Sequence, residues 1–139
     1  MNKSGRVAIL AMVVAMSGCA LFGKGGGVRL SSSPALPAAE GSVKFSASDN
    51  DNTNVVLKVK HLAHPEKLTP PVSEYVVWVR GAKNALPQNI GALKVDKKLT
   101  GELDTEVPLH SFELFITGEA SGQVQQPSGQ QLLWTNYSR

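Results

Sequence analysis

The sequence predicts an all-β fold, an antiparallel sandwich formed by one domain. Three observations carry this. From Gly41 onward apolar residues recur with a period of two, so successive side chains face opposite sides of an extended chain. Turn-forming clusters separate these runs at short intervals: Asp49-Asn50-Asp51-Asn52, Pro70-Pro71, Gly81-Ala82-Lys83-Asn84, Asp96-Lys97, Val107-Pro108 and Pro127-Ser128-Gly129. After residue 40 no stretch keeps an apolar helical period for three turns, so no amphipathic helix is expected.

Before the domain comes a leader, residues 1–18. Lys3 and Arg6 make a short cationic start, Val7 to Met16 is apolar, and the small residues Ser17 and Gly18 precede Cys19. That is the layout of a secretory signal peptide. The apolar run is about half the roughly 20 residues a spanning helix needs. Met16-Ser17-Gly18-Cys19 resembles a bacterial lipobox, with Met at a position where Leu is usual. The resemblance implies that Met16, Ser17 and Gly18 are read by the signal peptidase. It also implies that Cys19, the first mature residue, receives a diacylglycerol through its sulfur. Cys19 is the only cysteine, so no internal disulfide is possible, and a thioether would consume its thiol. Two or three acyl chains anchor a protein stably where one is marginal. No twin arginine stands near the start, which favours the general secretion route. Ala20, not Asp, follows the cysteine. The expected location is therefore the outer membrane facing the periplasm, with the cell surface as the alternative.

Residues 19–40 read as the lipidated cysteine and a flexible tether. Gly23-Lys24-Gly25-Gly26-Gly27 and Ser31-Ser32-Ser33-Pro34 are turn-rich. No strand precedes the glycines and no Gly-Lys-Ser/Thr follows them, so a phosphate loop is not indicated. As a coil such a tether would hold the domain on the order of 25 Å from the membrane. The formal charge of +3 includes Lys3 and Arg6, so the mature chain is close to neutral and gives no support for nucleic-acid binding. All three methionines lie in the leader, which removes the soft ligands that copper(I) favours.

Residues 41–139 then supply about seven strands, the number expected of an immunoglobulin-like sandwich. Ser42 to Ala47 is a weak first strand. Val55, Leu57 and Val59 alternate with Val56, Lys58 and Lys60, giving an aliphatic face and a solvated one. Tyr75-Val76-Val77-Trp78-Val79 is apolar on both faces, as a central strand would be. Asn89 to Val95 and Lys98 to Thr105 are weaker strands. Phe112, Leu114 and Ile116 alternate with Glu113, Phe115 and Thr117, and Leu132 and Trp134 alternate with Leu133 and Thr135. The Cys…Trp…Cys signature of true immunoglobulin domains is absent. Strand tryptophans usually pack inward, so Trp78 and Trp134 read as core residues and not as a carbohydrate platform.

Several of these strings together resemble the C-terminal domain of anti-sigma-K factors. They are Tyr75-Val76-Val77-Trp78-Val79, Gly91-Ala92-Leu93, the run from Phe112 to Glu119, and Ala120-Ser121-Gly122 leading to Gln126-Pro127-Ser128-Gly129. The likeness covers roughly residues 73 to 137, and Ala120 stands where Pro is usual. It implies an extracytoplasmic β-sandwich. The chain lacks the sigma-binding domain and spanning helix of the full family form, so the resemblance implies a fold and transfers no functional residue.

No catalytic constellation is present. His61, His64 and Glu66, with His110 further on, are the nearest approach to a zinc or copper(II) ligand set. His61 continues the inward alternation of Val55, Leu57 and Val59, so it reads as a half-buried strand-end residue, with His64 solvated in the next loop. Asp49, Asp51 and Thr53 start like a calcium loop, but Asn54 stands where Gly is needed and Lys60 where the bidentate Glu belongs. Glu102, Asp104 and Glu106 alternate on one strand face and read as a solvated edge that discourages pairing, not as a glycosidase pair. No Gly-x-Ser-x-Gly or Ser-x-x-Lys string marks a nucleophile. The expectation is a lipid-anchored envelope protein, not an enzyme and without a cofactor, whose sandwich binds another envelope protein. A small-ligand or metal-binding periplasmic lipoprotein is the alternative.

Overall fold

A computed structural model describes residues 27–139. The leader, Met16, Ser17, Gly18 and Cys19 lie outside the described residues. Two five-stranded antiparallel sheets face each other. In chain order the strands are β1 (Val28–Arg29), β2 (Ser31–Ser32), β3 (Glu40–Ala47), β4 (Thr53–Lys60), β5 (Glu74–Arg80), β6 (Gln88–Ala92), β7 (Lys94–Val95), β8 (Gly101–Val107), β9 (Ser111–Glu119) and β10 (Gln131–Ser138). One sheet has the order β1-β3-β4-β8-β7, the other β2-β10-β9-β5-β6. The orders β3-β4-β8-β7 and β10-β9-β5-β6 match the ABED and GFCC′ arrangement of an immunoglobulin-like sandwich. Setting aside the two-residue strands β1, β2 and β7, seven remain, as the turn spacing predicts.

The strand periods explain the core. On β4, Thr53, Val55, Leu57 and Val59 face inward and are buried, while Lys58 and Lys60 are exposed on the other face. Their inward partners across the sandwich are Tyr75, Val77 and Val79 of β5 and Phe112, Leu114 and Ile116 of β9. Burial of each such aliphatic or aromatic side chain contributes about 1.5–3 kcal/mol. Phe45, Phe112 and Tyr137 form an aromatic group at one margin, with Phe45 stacked on Tyr137 at 4.2 Å. β5 is buried on both faces. Its outward residues Val76 and Trp78 join Phe115, with Val124 and Trp134 packed against them, under the loop that links β9 to β10.

Four expectations change. The tether does not extend to residue 40. From Val28 the chain already pairs, β1 with β3 and β2 with β10, and Leu36 and Ala39 are core residues. Two-residue strands have no readable period, and their Gly, Ser and Pro neighbours serve as turns between the sheets. Asn89 to Val95 is two strands, not one. Gly91 adopts a φ of 136°, and after Leu93 the chain passes from one sheet to the other. The next strand starts at Gly101, because Asp96 Oδ1 accepts hydrogen bonds from the amides of Lys98 and Thr100 and closes a turn. In β10 a bulge between Gln131 and Leu133 lets Leu132 and Leu133 both enter the core, so they do not alternate.

Candidate functional site

At the end of the sandwich where β4 and β9 finish, two connections rise above the core and leave a groove between them. The first wall is the β4–β5 connection. His61 takes a φ of 58°, which turns the chain at the strand end. The inward place goes to Leu62, whose amide donates to Leu99 O at 3.0 Å, and His61 is exposed. The half-buried placing expected for His61 is therefore overturned by that left-handed turn. A short 3-10 turn, Pro65–Lys67, follows. It is closed by Lys67 N–H to His64 O and Leu68 N–H to Pro65 O, and the amide of Val72 donates to Pro65 O as well. The Tyr75 hydroxyl donates to Ala63 O at 2.7 Å and fixes the wall from beneath. Burial, and then the nearby Glu66 carboxylate, push the Tyr75 phenol up to about 12.

The second wall is the β9–β10 loop, and one buried carboxylate holds it. Glu119 is 1% exposed. Its Oε1 accepts from Thr117 Oγ1 at 2.6 Å, from the amide of Ser128 at 2.9 Å and from the amide of Gly129 at 3.2 Å. Its Oε2 accepts from the Ser128 hydroxyl. Trp78 Nε1 donates to Thr117 Oγ1 at 2.8 Å, so the indole, hydroxyl and carboxylate form one relay. Burial alone would push the Glu119 carboxyl up. The hydrogen bonds from Ser128, Thr117 and Gly129 outweigh it and hold the carboxyl below the usual range. Further along the loop, Asn89 Nδ2 donates to Gly122 O and Val124 O, both at 2.9 Å.

A second buried-edge cluster supports the same sheet. Arg80 pairs with Glu113 Oε2, Gln131 Nε2 donates to Glu113 Oε1 at 2.7 Å, and the guanidinium lies over the Phe115 ring. Burial raises the Glu113 carboxyl, and the bonds from Arg80 and Gln131 outweigh it. Among the described residues, Ser48 Oγ is the one buried side-chain polar atom without a partner.

The groove between the walls encloses about 340 Å³. Its floor is apolar, with Leu68, Val72 and Leu132; Lys67, Thr69 and Gln130 are its polar lining. Gly118 of β9 forms part of the base, and a Cβ there would stand 2.8 Å from Val72 Cγ2, so only glycine lets the first wall lie this close to β9. Lys67 is the one titratable side chain that lines it. The surface can take up an apolar group under a polar rim.

The sequence-derived candidates do not converge here. His64 Nδ1 lies 3.8 Å from Glu66 Oε1, both on the surface, and among the described residues no three His, Cys, Asp or Glu side chains gather as a metal-ligand set. His110 is at the opposite end, its Nε2 2.7 Å from Asp51 O. Asp51 accepts from Arg139 Nη2 at 2.9 Å, and Thr53 turns inward to donate to Leu109 O, so Asp49, Asp51 and Thr53 form a turn and not an ion loop. Glu102, Asp104 and Glu106 point outward from β8, with Lys58 3.5 Å from Glu102. Trp78 is fully buried and Trp134 half-buried. The groove itself has no linear signature, because its lining comes from four separate stretches of chain. The pairing of Glu119 with Ser128-Gly129 does have one: Glu119 ends the run from Phe112, and Ser128-Gly129 ends the Gln126-Pro127-Ser128-Gly129 string. Comparison with protein-family models, with curated proteins and with solved structures gave no significant match.

Proposed function

We propose that this chain is a lipid-anchored cell-envelope protein whose sandwich is a non-enzymatic binding module. Its partner is another envelope protein, which places an apolar segment in the groove between the β4–β5 connection and the β9–β10 loop. The observation that carries this reading is the division of labour around the groove. The buried polar groups beside it, Glu119, Thr117 and Trp78, together with the exposed Ser128, are spent on fixing one wall, and the lining offers apolar contact with Lys67 and Gln130 as polar contacts. A cleft with an apolar floor and placed polar groups at its rim suits recognition. The string Met16-Ser17-Gly18-Cys19 supports the location. The likeness of residues 73 to 137 to the anti-sigma-K C-terminal domain supports the fold and adds no partner.

Site-specific photocrosslinking in cells tests this. A photoreactive residue at Gln130 is expected to capture a discrete protein neighbour, and one at Lys94, on the outer face of the other sheet, is not. Equal background labelling from both positions would reject the groove as the contact surface.

A further inference from the structure

The first described strand shows from which direction the chain enters the sandwich. β1 runs antiparallel to β3, with Val28 opposite Val43 and Arg29 opposite Ser42. Traced backwards from Val28, the chain direction leads along β3 towards Ala47 and the β3–β4 turn. Val28 is the ninth residue after Cys19. Nine steps span at most about 30 Å when extended, and about 17 Å as a coil. The rim of the domain at Ala47 is roughly 13 Å along β3 from Val43, within the reach of such a link.

The same end carries the β5–β6 loop, residues 81–87. A Cβ on Gly81 would lie 3.5 Å from Leu109 Cδ2, and Leu109 O accepts the Thr53 hydroxyl beside the β3–β4 turn. Residues 81–86 are all exposed. Leu86 is 71% exposed, more than any other large hydrophobic side chain among the described residues; the next, Val56, is 45% exposed. Ala85 and Pro87 flank it, and the loop contains one charge, Lys83, and no acid.

We infer that the sandwich stands on the lipid bilayer through this end, with Leu86 entering the acyl region and Lys83 at the phosphate level. The inference rests on the proposal that Cys19 carries the acyl chains. A leucine flanked by small apolar residues, with an ammonium on a long stem nearby, is chemistry that fits a bilayer interface. A short link makes the contact effectively intramolecular, so a weak affinity suffices. The groove, at the other end of the strands, then faces away from the membrane and towards a partner.

The test uses the full lipidated chain in vesicles of phosphatidylethanolamine and phosphatidylglycerol. Leu86→Cys and, as control, Glu66→Cys on the exposed β4–β5 connection at the groove end are each labelled with an environment-sensitive fluorophore; Cys19 is blocked by its lipid. The label at residue 86 is expected to shift to shorter wavelength and lose most of its emission to spin-labelled lipid, while that at 66 is unaffected. Protein that floats with the vesicles but shows both labels in water, or only residue 66 quenched, overturns the inference and leaves the anchor intact. Protein that does not float overturns both.

Discussion

Replacing Glu119 by Ala tests whether one carboxylate holds the groove wall. Four donors converge on it: Thr117 Oγ1, the Ser128 amide, the Ser128 hydroxyl and the Gly129 amide. Hydrogen bonds to a charged acceptor are worth about 1.5–3 kcal/mol each, but they share one side chain and do not add. Truncation removes all four bonds and leaves the buried Thr117 hydroxyl without its acceptor, so a loss of about 3 kcal/mol is expected. For a domain of this size that lowers Tm by about 12 °C or more. Glu119→Gln keeps the shape and one acceptor, and should cost about half as much. The folded-state carboxyl sits below its usual range, so the stabilisation it provides is present above the unfolded pKa and is lost as pH falls through the folded one. Stability of the wild type should therefore drop on acidification through that window, and the Gln variant should lack this component. Urea unfolding at several pH values gives the free energies, and hydrogen exchange reports whether the Ser128 and Gly129 amides lose protection. A loss below about 1 kcal/mol for Glu119→Ala, with both amides still protected, would refute the reasoning.

Tyr75 gives the opposite limb: its phenol is raised to about 12, so the stability it contributes is complete below the ordinary tyrosine pKa near 10 and lost as pH rises through the folded value. Ultraviolet titration should show Tyr75 ionising only together with alkaline unfolding; a Tyr75→Phe variant that left the high-pH step unchanged would contradict this. Gly91→Ala forces a side chain onto a φ of 136°, with the added Cβ 2.9 Å from Leu103 Cδ1. The leucine tip can move, so backbone strain dominates and thermal unfolding should show a loss of about 2 kcal/mol. Zinc or copper(II) titrated into the full chain is expected to produce no saturable heat that depends on His61 and His64; binding abolished by replacing both would restore the metal-binding alternative.

Strands with a long, one-sided apolar period could be read directly. Val55, Leu57 and Val59 sit where the alternation puts them, and the run from Tyr75 to Val79 is buried on both faces as its composition requires. The failures have local causes. At Leu132 a single inserted residue breaks the period, which alternation cannot anticipate. β1 and β2 are too short to have a period, and their Gly, Ser and Pro neighbours resemble a linker, although Leu36 is 4% exposed in the core. His61 follows an inward-facing series but stands where the backbone turns left-handed, so the series passes to Leu62. The groove was illegible for a different reason. Gly118 and Leu132 meet through the pairing of β9 with β10, and Lys67 reaches them on the connection that crosses from one sheet to the other.

We propose that this sandwich works outside the cytoplasm on a short acylated link. Intact-mass analysis of the native protein tests it most directly. The prediction is a chain that begins at Cys19 and carries a diacylglyceryl group on its sulfur. A mass corresponding to the unprocessed chain from Met1 with a free thiol would contradict it.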